Sequence, residues 1–296
     1  MRCRHRVCKA VCRWFVVVLI CSTPVVAHAG DDAEIELKTD IAYGTGGGED
    51  LKLDLAMPKE LDHPVPAIVA IHGGGWSQGE RSDMHEVMKR AAKHGFVAAT
   101  VSYRLAPEHR FPAQVEDVKC AVRYLRAHAD ELHIDPEQIG AFGISAGAHL
   151  AMMLGTLDSS DGMEGEGGNP DVSSKVQAVV SFVGPVNLVR TSYSDTQEQI
   201  LEAFFGGKPL NKIADCRRAS PIVYVNEGDA PMLLFFGTKD PLIDADQAYQ
   251  IAEALTDAKV PGRVEMLLGA GHGWKGPELE RTLESSWKFF DKQLKP

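Results

Sequence analysis

Cysteine is scarce in this 296-residue sequence, basic residues are outnumbered, and long apolar runs are missing. Each shortage excludes something. Four of the six cysteines (Cys3, Cys8, Cys12, Cys21) fall in the first 29 residues, which leaves Cys120 and Cys216. Two distant cysteines, with no CxxC and no His/Cys cluster, make neither a disulfide scaffold nor a zinc site, so no metal is expected. Whether those two pair is left open, because geometry decides it. Lys and Arg total 31 against 41 Asp and Glu, a formal charge of −10. A surface of that sign repels polyanions and disfavours nucleic acid and anionic lipid, both of which need clustered cations. The apolar stretch at 14–26 is too short to span a bilayer and contains Pro24.

What is present begins with a leader. Arg2, Arg4, Arg6, Lys9 and Arg13 form a basic start, residues 14–20 an apolar run, and Ala27-His28-Ala29 a small-x-small cleavage site. Residues 1–29 therefore read as a secretory signal peptide, with a periplasmic or extracellular product and no stable membrane insertion after cleavage. A lipoprotein anchor at Cys21 is the alternative, disfavoured by bulky Ile20 before it. Cleavage removes five basic and no acidic side chains, taking the formal charge from −10 to −15. Residues 30–296 are long enough for one α/β domain with a sizeable core.

Along that domain, 34–38 and 51–57 alternate apolar and polar residues around a glycine-rich turn and predict an antiparallel opening hairpin. From 67 onward strand and helix alternate. Strands are expected at 67–71, 97–102, 138–142, 176–183, 232–236 and 264–268, and helices at 83–94, 113–129, 146–157, 245–255 and 278–293. That rhythm is the signature of a mostly parallel sheet with helices on both faces. Two stretches break it. Residues 158–174, rich in Gly, Asp, Glu and Ser, read as a mobile, solvated loop without the spacing of a calcium loop. Residues 188–226 exceed an ordinary connection and predict a small helical, cap-like insertion over the site, in which Phe204 and Phe205 either shape a substrate pocket or pack beneath it.

Gly143-Ile144-Ser145-Ala146-Gly147 sits between an expected strand and an expected helix, the context of a nucleophile elbow. A serine nucleophile needs a base, and the base needs an orienting carboxylate. Asp240 follows the strand at 232–236 immediately, where active-site groups of parallel sheets collect, with Asp244 as a nearby competitor. His272, held between Gly271 and Gly273 after the last strand, is suited to reach across a site as the base. His149, one turn into the elbow helix, reads as a packing or hydrogen-bonding residue beneath it. His72-Gly73-Gly74-Gly75-Trp76 follows another strand. There the bare backbone of the Gly73-Gly74-Gly75 run, with the N–H of Ala146, is suited to meet a developing oxyanion.

These motifs, together with residues 103–108, Phe111-Pro112-Ala113, Asp240-Pro241 and His272-Gly273, resemble the α/β-hydrolase carboxylesterases of the hormone-sensitive-lipase type. They also resemble the related bacterial feruloyl and acetyl-xylan esterases. The resemblance covers nearly the whole chain after the leader. It implies the α/β-hydrolase fold, with Ser145, Asp240 and His272 catalytic, and Gly74, Gly75 and Ala146 as oxyanion donors. His72 and Arg104 become supporting groups around the oxyanion loop. Apart from the resemblance, Trp76 joins Phe204 and Phe205 as a candidate substrate-pocket residue. The reaction implied is cofactor-free hydrolysis of small-molecule or polysaccharide-linked esters through an acyl-enzyme. Ile144, where many lipase-type relatives carry aspartate, and a first strand close behind the leader point to the secreted esterase branch with a more open site. A prolyl-oligopeptidase-like peptidase, a lipase and a non-catalytic module on the same fold are the competing readings; acyl and alcohol specificity and oligomeric state are not legible.

Overall fold

The computed structural model describes residues 34–295, so the expected leader and Cys21 lie outside the described residues. The chain opens with an antiparallel hairpin, β1 (Ile35–Gly46) and β2 (Glu49–Pro58), closed by Gly47 and Gly48 at φ of 59° and 87°. It continues through β3 (Val65–Ile71), α1 (His85–Lys93), β4 (Val97–Val101), α2 (Ala113–Ala127), a short α3 (Ala129–Leu132), β5 (Ile134–Ile144) and α4 (Ala146–Thr156). Then come β6 (Ala178–Phe182), α5 (Asp195–Phe205), α6 (Ile213–Arg218), β7 (Met232–Gly237), α7 (Asp246–Asp257), β8 (Gly262–Leu267) and α8 (Pro277–Leu294). Eight strands form one sheet in the order β1-β2-β4-β3-β5-β6-β7-β8, antiparallel up to β4 and parallel beyond it. This is the α/β-hydrolase fold.

The seven apolar residues of β3 are all buried because the sheet is covered twice. Side chains alternate faces along a strand. Ala67, Val69 and Ile71 enter the core shared with α2, α4 and α7, and Ile68 and Ala70 the core shared with α1 and α8. Fully buried aromatics weight the second core, where Phe96 meets Phe290 and Phe142 stacks on Trp287.

The hairpin strands are longer than their alternation predicts. Register irregularities between Lys38 and Ile41 and between Ala42 and Gly44 shift the facing of β1 midway, which erases the period-two signal there.

The acidic stretch 158–174 is tied down and is not the free loop expected. Lys119 and Arg123, one turn apart on α2 and essentially fully buried, both donate to Glu164, at 2.5 and 2.8 Å. Ser174 donates to the same carboxylate at 2.9 Å, and Arg123 also holds the carbonyls of Glu164 and Gly168. Two cations out of water need that carboxylate, whose pKa stays below its ordinary value because these donors outweigh its desolvation. Replacing Glu164 with Gln is therefore expected to destabilise the protein by about 3 kcal/mol, the low end for breaking a buried ion pair because Glu164 is itself part-exposed. Denaturant unfolding measures the loss, and a change below about 0.5 kcal/mol would return 158–174 to a surface loop.

Candidate active site

Ser145 sits at the junction of β5 and α4 with φ 56° and ψ −118°, a conformation that L-residues adopt at a cost. Its N–H donates to Phe182 O at 2.8 Å, which fixes the turn against β6. The turn needs glycine behind it. A Cβ on Gly147 would stand 2.1 Å from Ile71 O and 2.4 Å from His72 O, so a side chain there would force α4 off β3.

Two loops at the carboxyl ends of neighbouring parallel strands bring the partners. After β7, Asp240 accepts the backbone N–H groups of Leu242 and Ile243 on Oδ1, at 2.8 and 3.0 Å, leaving Oδ2 for His272 Nδ1 at 2.8 Å. The Asp240 side chain is 1% exposed and that of His272 22%, so the carboxylate is sealed while the imidazole faces the site. A carboxylate only accepts, so the His272 proton resides on Nδ1 and the bare Nε2 accepts from the Ser145 hydroxyl at 2.8 Å. Asp244 takes no part in this chain; it pairs with Arg190.

Residues 73–75 border the serine. A Cβ on Gly73 would lie 3.3 Å from Ser145 Cβ, and Gly74, Gly75, Ser145, Ala146 and His272 line one cavity of about 350 Å³. Gly74 holds φ 106°, and a Cβ there would meet Gln78 O at 2.0 Å, because the loop folds back through Ser77 and Gln78 N–H bonds to Gly74 O. Among the described residues the N–H groups of Gly74 and Gly75 donate to no protein acceptor, and Ala146 N–H, at the first turn of α4, has no partner within the helix.

The groups expected to support this loop divide. His72 lies behind it, 1% exposed, stacked on Tyr103 at 4.3 Å, with its Nδ1–H donating to Gly73 O at 2.8 Å. Burial pushes its pKa below the ordinary imidazole value. Arg104 is elsewhere: its guanidinium donates to Asp117 at 2.7 and 2.9 Å, to Glu116 and to Ala113 O, which staples the 103–113 loop to α2 and makes no contact with the oxyanion loop. Its chain position suggested support, but the nearby carboxylates of α2 claim it.

Part of the cavity wall comes from the 188–226 segment. A capping box sets α5, with Ser194 Oγ accepting from Gln197 N–H and the Gln197 side chain from Ser194 N–H; Gly206 in the left-handed region ends it. Tyr193, Gln197, Ile200 and Leu201 from this segment face the cavity beside Leu242 and Ile243. Trp76 also borders it. Phe204 and Phe205 do not: they are buried at 0% and 5% exposure, and Phe204 stacks on the far side of Trp76 at 4.2 Å. Their place is under the insertion, anchored by Phe111 N–H on Phe204 O. Cys120 and Cys216 are both buried and free, so no bond joins them. Among the described residues no group of three potential ligands could hold a metal, and no helix is long and apolar enough to cross a membrane.

The chain is similar to known esterases. The chain is 32% identical over 268 residues to the esterase LipC of Mycobacterium tuberculosis, covering 88% of this chain and 65% of that one. It is 28% identical to an ethyl acetate hydrolase of Pseudomonas putida, covering 82% and 77%. It spans between about half and two-thirds of the length of the first curated relatives it matches. Among solved structures, a truncated carbohydrate esterase from gut microbiota superposes with a TM-score of 0.79 at 25% identity, covering 90% and 99% of the two chains. A propionate-bound esterase of Thermogutta terrifontis does so at 0.73 and 28%, covering 89% and 96%. The family model BD-FAE matches residues 53–255, more than half of the sequence, and the chain belongs to the BD-FAE family of α/β-hydrolases.

Proposed function

We propose that this protein is a serine carboxylic-ester hydrolase. One observation carries the reading: the unbroken bond chain Asp240–His272–Ser145 opens into a cavity beside two unpartnered backbone N–H groups. In the first step His272 Nε2 takes the serine proton as Oγ attacks the ester carbonyl. Asp240 stabilises the resulting imidazolium, and the N–H groups of Gly74, Gly75 and Ala146 meet the oxyanion. The imidazolium then protonates the leaving alcohol. Water, deprotonated by the same nitrogen, cleaves the acyl-serine, returning the enzyme and an acid. No metal or cofactor takes part in any of these steps.

A cavity of about 350 Å³, walled by Leu188, Ile200, Leu201, Leu242 and Ile243, favours short acyl groups. The solved neighbours include a carbohydrate esterase and an esterase with propionate bound, which supports small esters or acyl groups on polysaccharide as the substrate class. The pattern of residues 1–29 supports export. Purified protein is expected to hydrolyse p-nitrophenyl acetate and butyrate faster than long-chain esters and to be labelled at one serine by a fluorophosphonate. A panel of acetyl-xylan and methyl ferulate then separates the acyl classes. Absence of both turnover and labelling would overturn the reading. Activation on long-chain emulsions would make the protein a lipase instead, and cleavage of proline peptides in preference to esters a peptidase.

A further inference from the structure

His149 is a buried imidazole that the proposed chemistry does not use. It lies one turn along α4 from the serine, with its backbone N–H on Ser145 O at 3.0 Å and no exposure to solvent. Both ring nitrogens are engaged. Nε2–H donates to the Ala219 carbonyl at 2.6 Å, at the end of α6 in the insertion. Nδ1 accepts the indole N–H of Trp76 at 3.3 Å. Only the neutral ring can make both bonds, and burial pushes His149 down to about 4, which keeps it neutral at ordinary pH.

Trp76 directly follows Gly74 and Gly75 in the same loop. Its φ is 58°, a left-handed value unusual for a bulky residue. Its ring is clamped instead. Phe204 of α5 stacks on it with an interplanar angle of 14°, His149 meets it edge-on at 5.0 Å, and its carbonyl accepts Ala106 N–H at 2.9 Å. The same insertion touches the loop directly, since Ile200 Cγ2 lies 3.2 Å from where a Cβ on Gly75 would stand. Nucleophile helix, oxyanion loop and insertion therefore converge on one imidazole.

We propose that His149 is a positioning residue for the oxyanion loop, acting through Trp76: it locks the loop and the insertion onto the helix that carries Ser145. This rests on the hydrolase reading above. The donors must stand at the site of the oxyanion before charge develops, so a loosened loop weakens transition-state binding more than substrate binding.

The test uses four variants of the full chain with p-nitrophenyl acetate. His149→Phe keeps the ring bulk and removes both bonds; it is expected to lower kcat about 10- to 100-fold with KM within a few-fold, less than the loss from deleting an oxyanion donor outright. His149→Gln, whose amide both donates and accepts, is expected to recover part of that loss. Trp76→Phe keeps the stack on Phe204 and removes the indole N–H. Combined with His149→Phe it is expected to cost little more than the worse single change, because both break one link. Inhibition by a trifluoromethyl ketone, whose bound adduct carries the oxyanion, is expected to weaken in proportion to kcat/KM. A lowered Tm with unchanged kcat and unchanged ketone affinity would make His149 purely structural and overturn the proposal, as would additive losses in the double variant. Should His149→Phe fail to fold, His149→Gln and Trp76→Phe carry the same comparison. Wild-type protein that neither hydrolyses the ester nor takes a fluorophosphonate label sinks the hydrolase reading; active, labelled wild type with unaltered His149 variants sinks this inference alone.

Discussion

Replacing Ser145 with alanine is expected to lower turnover of p-nitrophenyl acetate about 10⁶-fold and to leave the fold intact. The magnitude follows from the role: without Oγ there is no covalent intermediate, and His272 and Asp240 have nothing to activate. Folding is untouched because the Oγ bond to His272 is part-exposed, and the backbone bond from Ser145 N–H to Phe182 O survives. A second substitution separates chemistry from strain. Ser145 holds φ 56° and ψ −118°, a region glycine enters freely, and such residues cost about 1–3 kcal/mol. Ser145→Gly relieves that cost, offset in part by the extra freedom of glycine in the unfolded chain. The expected result is an inactive variant about 1 kcal/mol more stable than wild type, read as a Tm rise of a few degrees, while Ser145→Ala shows no such gain. Near-normal turnover by either variant would remove Ser145 from the mechanism.

What the sequence makes legible follows from how locally each feature is encoded. The elbow, Asp240 and His272 were readable because each follows an apolar strand, and a parallel sheet delivers the ends of such strands to one edge. Their mutual distances were not readable, since they depend on the register of β5, β6, β7 and β8. Arg104 shows the opposite case: its motif suggested a place beside the oxyanion loop, yet its partner is Asp117, thirteen residues on and buried in α2. Phe204 and Phe205 were open between pocket and packing, and their burial away from the cavity lining decides it. Polar composition made 158–174 look free because the buried cations that hold Glu164 sit on another element, inside a helix whose apolar stripe hides them. An insertion over the site was expected, but which of its residues face the pocket, Gln197 and Ile200 among them, had no signal, since an ordinary amphipathic helix supplies them.

The second large effect falls on the carboxylate, and it separates two neighbours four residues apart. Asp240→Asn is expected to lower kcat about 10⁴-fold with little loss of stability. The amide oxygen keeps the two N–H bonds from Leu242 and Ile243, so the loop after β7 stays in place. The remaining NH₂ faces His272 Nδ1, and a donor there forces the imidazole to carry its proton on Nε2. In that tautomer the ring donates to Ser145 where it must accept, and the base is lost while the geometry is kept. Asp244→Asn changes none of these bonds; it releases Arg190, which borders the cavity, so its effect is expected in KM and within a few-fold in kcat. Measuring both parameters for both variants decides between them. A collapse of kcat in Asp244→Asn with activity retained in Asp240→Asn would exchange their roles, and equal modest losses would mean that neither carboxylate orients the base.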